Sequence, residues 1–214
     1  MSSRTPPDTL PVTLCLLAWD AGRQRFAQGQ ELGYVLRGAA LADLSLRGCL
    51  SEDEDGKVKA SGTKRTGDRV LDDVLREIAD GRPRSWGYWV RRGARPTMIA
   101  VQNQLAAANV VRVECRRVLG ILPYRLVIVT DPAVASATRA SMRQAVTGRA
   151  RVSDRDAAVV ALVAAGDLRN ALSRQERKEH EQRVTACTDR APALRKVMRG
   201  VKSARANARA GGGG

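Results

Sequence analysis

The chain has 214 residues, 43% of them hydrophobic and only 3% aromatic, and it carries 37 Lys and Arg against 22 Asp and Glu, a formal net charge of +15. That is enough apolar material for one sizeable core, which must be built from Ala, Val and Leu and is therefore expected to be mainly α. The charge argues against a cationic partner and for nucleic acid or an anionic membrane surface, although the excess of Arg over Lys is also what a GC-rich genome's codon usage would give.

Residues 1–7 are polar with two prolines and are expected to be loose. TLPVTLCLLAWDAG then reads as a short helix with Leu10, Leu14 and Leu17 on one face. Its apolar run is interrupted by Pro11 and Thr13 and closed by Asp20, too short to span a bilayer and without the small-residue exit of a signal peptide. A cytoplasmic chain is expected. Residues 22–29 form a basic turn or short strand pair, with Phe26, the only Phe, turned to the core.

Residues 31–50, ELGYVLRGAALADLSLRGCL, place Leu32, Val35, Leu36, Ala39, Ala40, Leu44 and Leu46 at helical three-and-four spacing, with Gly48 where a helix usually stops. A long, mostly buried helix is implied. It carries Arg37 between Leu36 and Gly38, either a snorkelling arginine or a site. In CLSEDEDGKVKASG, Asp55-Gly56 makes a hairpin turn, and the acidic run Glu52 to Asp55 reads as a solvated loop tip because it lacks the length and distal Glu of a calcium loop.

Thr66-Gly67-Asp68 supplies the next helix start, and Val70, Leu71, Val74, Leu75 and Ile78 give an amphipathic stripe ending at Gly81, with Asp72 and Arg76 as an i,i+4 pair. RPRSWGYWVRR interleaves Trp86, Tyr88 and Trp89 with arginines, which suits base stacking or a membrane interface. The plainer reading puts Trp89 and Val90 in the core and Trp86 on the surface. A helix over residues 98–108 with Asn109 as a left-handed cap is followed by VVRVECRRVLGILPYRLVIV, a β-hairpin. Helix followed by hairpin thus occurs twice, at 31–60 and 98–129, the outline of a winged helix.

Asp131-Pro132 begins a helix through Val146, and Ser153-Asp154 caps DAAVVALVAAGDLRNAL, apolar almost all round and therefore a core helix. Residues 175–187 are charged with a thin apolar stripe, 194–201 form a last short helix, and 204–214 are expected to be flexible. Cys15, Cys49, Cys115 and Cys187 lie far apart without C-x-x-C spacing, so they read as buried thiols of a reducing compartment, with two disulfides left open by their even number. The only histidine, His180, stands in a charged run. No catalytic constellation, metal site, P-loop or dinucleotide fingerprint emerges, so binding without cofactor or metal is expected.

TLPVTLCLLAWD, GYVLRGAALADLSLRGCL, KRTGDRVLDDVLREIADG, SWGYWVRR, RRVLGILPYRLVIVTDPAV and DRDAAVVALVAAGDLRNAL resemble, in this order and spacing, the Golgi phosphoprotein 3 family, and look like a bacterial, actinobacterial-type member. The resemblance covers roughly residues 8–203. It implies a single helical domain in which a buried hydrophobic central helix is surrounded by amphipathic helices, with short β-hairpins. Eukaryotic members bind phosphatidylinositol 4-phosphate and act as adaptors for Golgi glycosyltransferase tails.

The family's site arginine on the central helix matches Arg37. The aromatic nine residues earlier falls on Gln28, and the two basic residues of the later helix fall at Arg95 and near Met98. Arg37 and Arg95 are thus the expected headgroup ligands. The hairpin at about 111–127, with Arg112, Arg116, Arg117 and Arg125, is implied to serve self-association and membrane contact. The reading is a cytoplasmic protein held peripherally on anionic lipid, each Lys or Arg near such a surface adding about 1 kcal/mol, with a protein partner left open. The alternative is a nucleic-acid-binding protein using two winged-helix-like units.

Overall fold

The computed structural model describes residues 6–26, 29–62, 65–118, 122–148, 150–190 and 192–211, with the side chains of 29, 30 and 115–124 left outside the description. Among the described residues, ten helices and three two-stranded antiparallel hairpins follow one another as α1 (Leu10–Leu17), β1 (Trp19–Asp20), β2 (Arg25–Phe26), α2 (Gly29–Leu46), β3 (Leu50–Glu52), β4 (Val58–Ala60), α3 (Arg69–Ala79), α4 (Trp86–Arg91), α5 (Ala94–Ala107), β5 (Val111–Val118), β6 (Leu122–Val129), α6 (Pro132–Thr147), α7 (Asp154–Gly166), α8 (Arg174–Glu179), α9 (Glu181–Asp189) and α10 (Pro192–Gly211). The chain is mainly α.

Two helices, α2 and α7, form the centre. Every residue from Ala157 to Gly166 is buried, as the all-round apolar sequence requires, and α2 buries Val35, Leu36, Ala39, Ala40 and Leu44. Helices α1, α5 and α10 pack around α2. The α2–α10 crossing depends on Gly38: a Cβ there would lie 2.5 Å from Val201 Cγ2. Asp43, also buried, accepts the Leu10 backbone N–H at 2.7 Å and the Arg47 Nε–H at 2.6 Å, so it caps α1 from inside the protein.

The local signals place most boundaries. Ser153, Asp68 and Ser85 each accept a backbone N–H of the helix they precede, and Gly48, Gly56 and Asn109 adopt the positive φ their turns require. Five features differ from what the sequence suggests. Trp86 is buried rather than superficial, because its Nε1–H donates to Glu52 Oε1 at 2.6 Å while Lys196 holds the other oxygen. Glu52 therefore pins the β3–β4 hairpin to α4 and α10 instead of hanging in solvent. Arg76 pairs with Asp73 at 2.9 Å, not with Asp72, which accepts from Thr66. Residues 175–187 break into two helices at His180, and α10 continues to Gly211, well past the expected short helix.

Cys15, Cys49 and Cys187 are buried free thiols, and burial pushes the Cys15 thiol up to about 12. The Cys115 side chain lies outside the description. No helix among the described residues is long and apolar enough to cross a membrane.

Candidate functional site

Arg37 lies in the interior, 2% exposed. Its Nε donates to the Trp89 carbonyl at 3.0 Å, Nη1 to Thr97 Oγ1 at 3.3 Å and Nη2 to Glu77 at 2.8 Å. Burial pushes this guanidinium down from its ordinary value, opposed by the charge and hydrogen bond of Glu77. Glu77 also accepts from the exposed Arg92 at 2.8 Å, and Arg92 reaches the Tyr88 hydroxyl at 3.1 Å. Arg37 thus fastens α2 to α3, to the end of α4 and to the first turn of α5, beneath the surface instead of on it.

That first turn leads to a cleft. Arg95, Met98 and Gln102 lie at i, i+3 and i+7 on one face of α5, and Met98 and Gln102 line a cavity of about 720 Å³. Its floor is apolar, from Phe26, Leu32 and Val127, and five arginines converge on it against two aspartates. Arg23 comes from the β1–β2 turn, Arg25 from β2, Arg125 from β6, Arg169 from the segment after α7 and Arg209 from the end of α10.

Specific contacts place the turn and three of the cations. Asp20 Oδ1 accepts the backbone N–H groups of Gly22 and Arg23 at 3.0 and 3.1 Å, closing the turn that presents Arg23 and Arg25. Arg125 donates to Gln102 Oε1 at 3.1 Å and to Asn103 Oδ1, docking the middle of β6 onto α5. Asp167, the α7 C-cap, stands at φ 49°, where a non-glycine residue is uncommon, and receives both Nε and Nη2 of Arg169 on Oδ2 at 3.2 and 3.0 Å. Burial would raise the Asp167 carboxyl, but the hydrogen bond and charge of Arg169, with Arg205 and Arg177 nearby, hold it below the ordinary range.

Arg209 grips Glu31 with two nitrogens at 2.8 and 2.9 Å, and the buried Arg205 reaches the same carboxylate at 2.9 Å and the Ala165 carbonyl at 2.9 Å. The end of α10 is thereby tied to the first turn of α2 and the last of α7. For Glu31 too, burial acts upward, and Arg209 and Arg205 together leave the carboxyl below its usual value. Planar guanidinium forks around a partly apolar floor are suited to the oxygens of a phosphate carried on an organic group.

Of the expected residues, Arg125 is in the cleft, Arg95 stands one turn from its Met98 wall, and Arg37 is buried. Met98, near which the second basic residue of the later helix was expected, lines the wall. Arg112 is paired with Glu114 at 3.0 Å. Arg116 and Arg117 lie in β5 opposite Tyr124 and Pro123, but their side chains, like Gln28, lie outside the described residues. Arg23, Arg25, Arg169 and Arg209 were not anticipated. They stand in three separated stretches, and only the basic character of residues 22–29 hinted at any of them.

A search of curated proteins gives no match for this chain. A family model, Golgi phosphoprotein 3 (GPP34), matches residues 10–201, from the first residue of α1 to the middle of α10. Because that match takes in both central helices, all three hairpins and four of the five arginines of the cleft, the chain belongs to the Golgi phosphoprotein 3 family.

Proposed function

We propose that the protein binds anionic lipid headgroups at a membrane surface through the cleft between β2, α5, β6 and the ends of α7 and α10. The observation that carries this reading is the convergence of five arginines on a cavity of about 720 Å³ with an apolar floor, a size within the usual range for small-ligand sites. The arginines, amides and apolar side chains of the described lining support a binding role.

In this account Arg125, with Arg95 at the margin, meets the headgroup, and Arg37 acts one layer down by holding the start of α5 through Thr97. The β5–β6 hairpin, held against α5 at mid-strand by Arg125, extends the contact to the membrane or to a second copy of the chain. A groove-reading role on DNA has less support, since α2, the helix that would enter the groove, is buried on Val35, Leu36, Ala39, Ala40 and Leu44.

Vesicle flotation tests the reading. Co-flotation with vesicles containing an anionic lipid, its absence with phosphatidylcholine alone, and its weakening in Arg125→Gln are the expected results. Equal flotation with both vesicles, or none with either, overturns it.

A further inference from the structure

The side chains that line the cleft fall into two layers by depth. Leu32 and Val127 are 1% and 7% exposed and belong to the hydrophobic core, and Phe26 and Met98 are half-buried and pack against it. The cations stand further out: Arg23, Arg169 and Arg209 are 70%, 51% and 54% exposed, Arg25 is exposed, and Arg125 is half-buried. The edge of the core is thus the floor of the cleft, and its rim is cationic.

The rim keeps a surplus of positive charge after its internal pairs are made. Asp20 lies 4.0 Å from Arg23, Asp167 receives Arg169, and Glu31 is shared by Arg209 and the neighbouring Arg205, so three carboxylates stand against six guanidiniums. A phosphate at the rim is therefore favoured whichever of these arginines meets it. Gln102 and Asn170 offer amides to a headgroup's hydroxyls, but at the floor its polar atoms would face Phe26, Met98 and Val127 and find no partner. A hydrocarbon chain gains there what a headgroup loses, because each methylene leaves water for an apolar wall.

Resting on the headgroup reading above, we infer that the cleft holds hydrocarbon as well as phosphate. It binds the phosphate of a membrane phospholipid at the arginine rim and takes part of that lipid's chain, drawn out of the bilayer, onto the floor of Phe26, Leu32, Met98 and Val127. A dissolved single-chain alkyl phosphate presents the same two groups, and experiment separates the two sources.

Binding of the full-length chain to ethyl, butyl and hexyl phosphate, with glycerol phosphate for comparison, is measured by calorimetry at one ionic strength. Affinity is expected to rise about two- to fourfold with each added methylene, from a half-open to a fully dry wall, and glycerol phosphate to bind no better than ethyl phosphate. Hexanol, a chain without charge, is expected to bind more weakly than hexyl phosphate. Met98→Gln keeps the length of a half-buried side chain and makes the floor more polar, and is expected to cut the ratio of hexyl to ethyl phosphate affinity about threefold. Hexyl phosphate is expected to displace the wild type from vesicles containing an anionic lipid.

Equal affinity for ethyl and hexyl phosphate in the wild type overturns the inference without any variant being needed, and leaves the headgroup reading standing if anionic vesicles still bind. So does an unchanged ratio in a folded Met98→Gln, hexanol binding as tightly as hexyl phosphate, or failure of hexyl phosphate to displace bound vesicles. Chain-dependent binding of alkyl phosphates by a protein that anionic vesicles do not bind supports the apolar floor and overturns the membrane source, and the headgroup reading with it.

Discussion

Arg37 shows how one side chain can be singled out by sequence while its partners cannot. A cation among apolar neighbours on a buried helix was visible, but its neutralising partner, Glu77, lies 40 residues away and its other acceptors are the Trp89 carbonyl and Thr97. Because Arg37 is buried and Glu77 is 30% exposed, the two partners are not interchangeable. Glu77→Ala leaves a buried guanidinium without its counter-charge and should destabilise by about 2–3 kcal/mol, somewhat less than for a fully buried pair. Arg92→Ala removes only the exposed member of the same triad and should cost no more than about 1 kcal/mol. Urea unfolding midpoints of the two variants check this; equal effects would mean that Glu77 acts mainly through Arg92.

At the scale of elements, the helices announced by caps and stripes were legible, and those held by distant charge were not. Asp68 before α3, Ser153 before α7 and Asn109 after α5 act through the adjacent backbone, so they can be read from a few residues. The second half of α10, KSARANARAG, has little apolar surface and looks like a tail. Its order comes from Arg205 and Arg209 closing on Glu31, 174 and 178 positions away. The cleft shares this property, since its cations come from segments that only the tertiary fold brings together.

Glu31 therefore controls the end of α10. Its carboxyl is held below the ordinary range, so the folded state gains stability from it above the unfolded carboxyl's pKa, and loses that gain as pH falls through the lowered value. Glu31→Gln should reduce stability at neutral pH, with the difference from wild type shrinking in acid, and should raise amide exchange selectively over residues 202–211. Uniform exchange across α10 would show that the ion pairs do not hold its end. Gly38→Ala acts at the other end of the same contact. Its methyl would meet the stiff, β-branched Val201 at 2.5 Å, and the overpacking should cost about 1–3 kcal/mol in thermal or urea unfolding.

For the molecule as a whole, a net charge of +15 attracts any anionic surface, and binding alone cannot separate that attraction from recognition. The two differ in range. Exposed charges such as Arg82, Arg84 and Arg91, around α4, act across solvent, where screening at physiological ionic strength limits them to about 8 Å. Arg125 sits in a cleft, half-buried in the middle of β6 and held against α5, where a bound phosphate would be in contact and largely shielded from salt. The triple variant Arg82→Gln, Arg84→Gln, Arg91→Gln should therefore bind anionic vesicles more weakly than wild type at low salt and converge with it at about 0.5 M, where the Debye length is only a few ångströms. Arg125→Gln should remain weaker at both. Convergence of Arg125→Gln with the wild type at high salt would mean that the cleft contributes general charge and no headgroup contact.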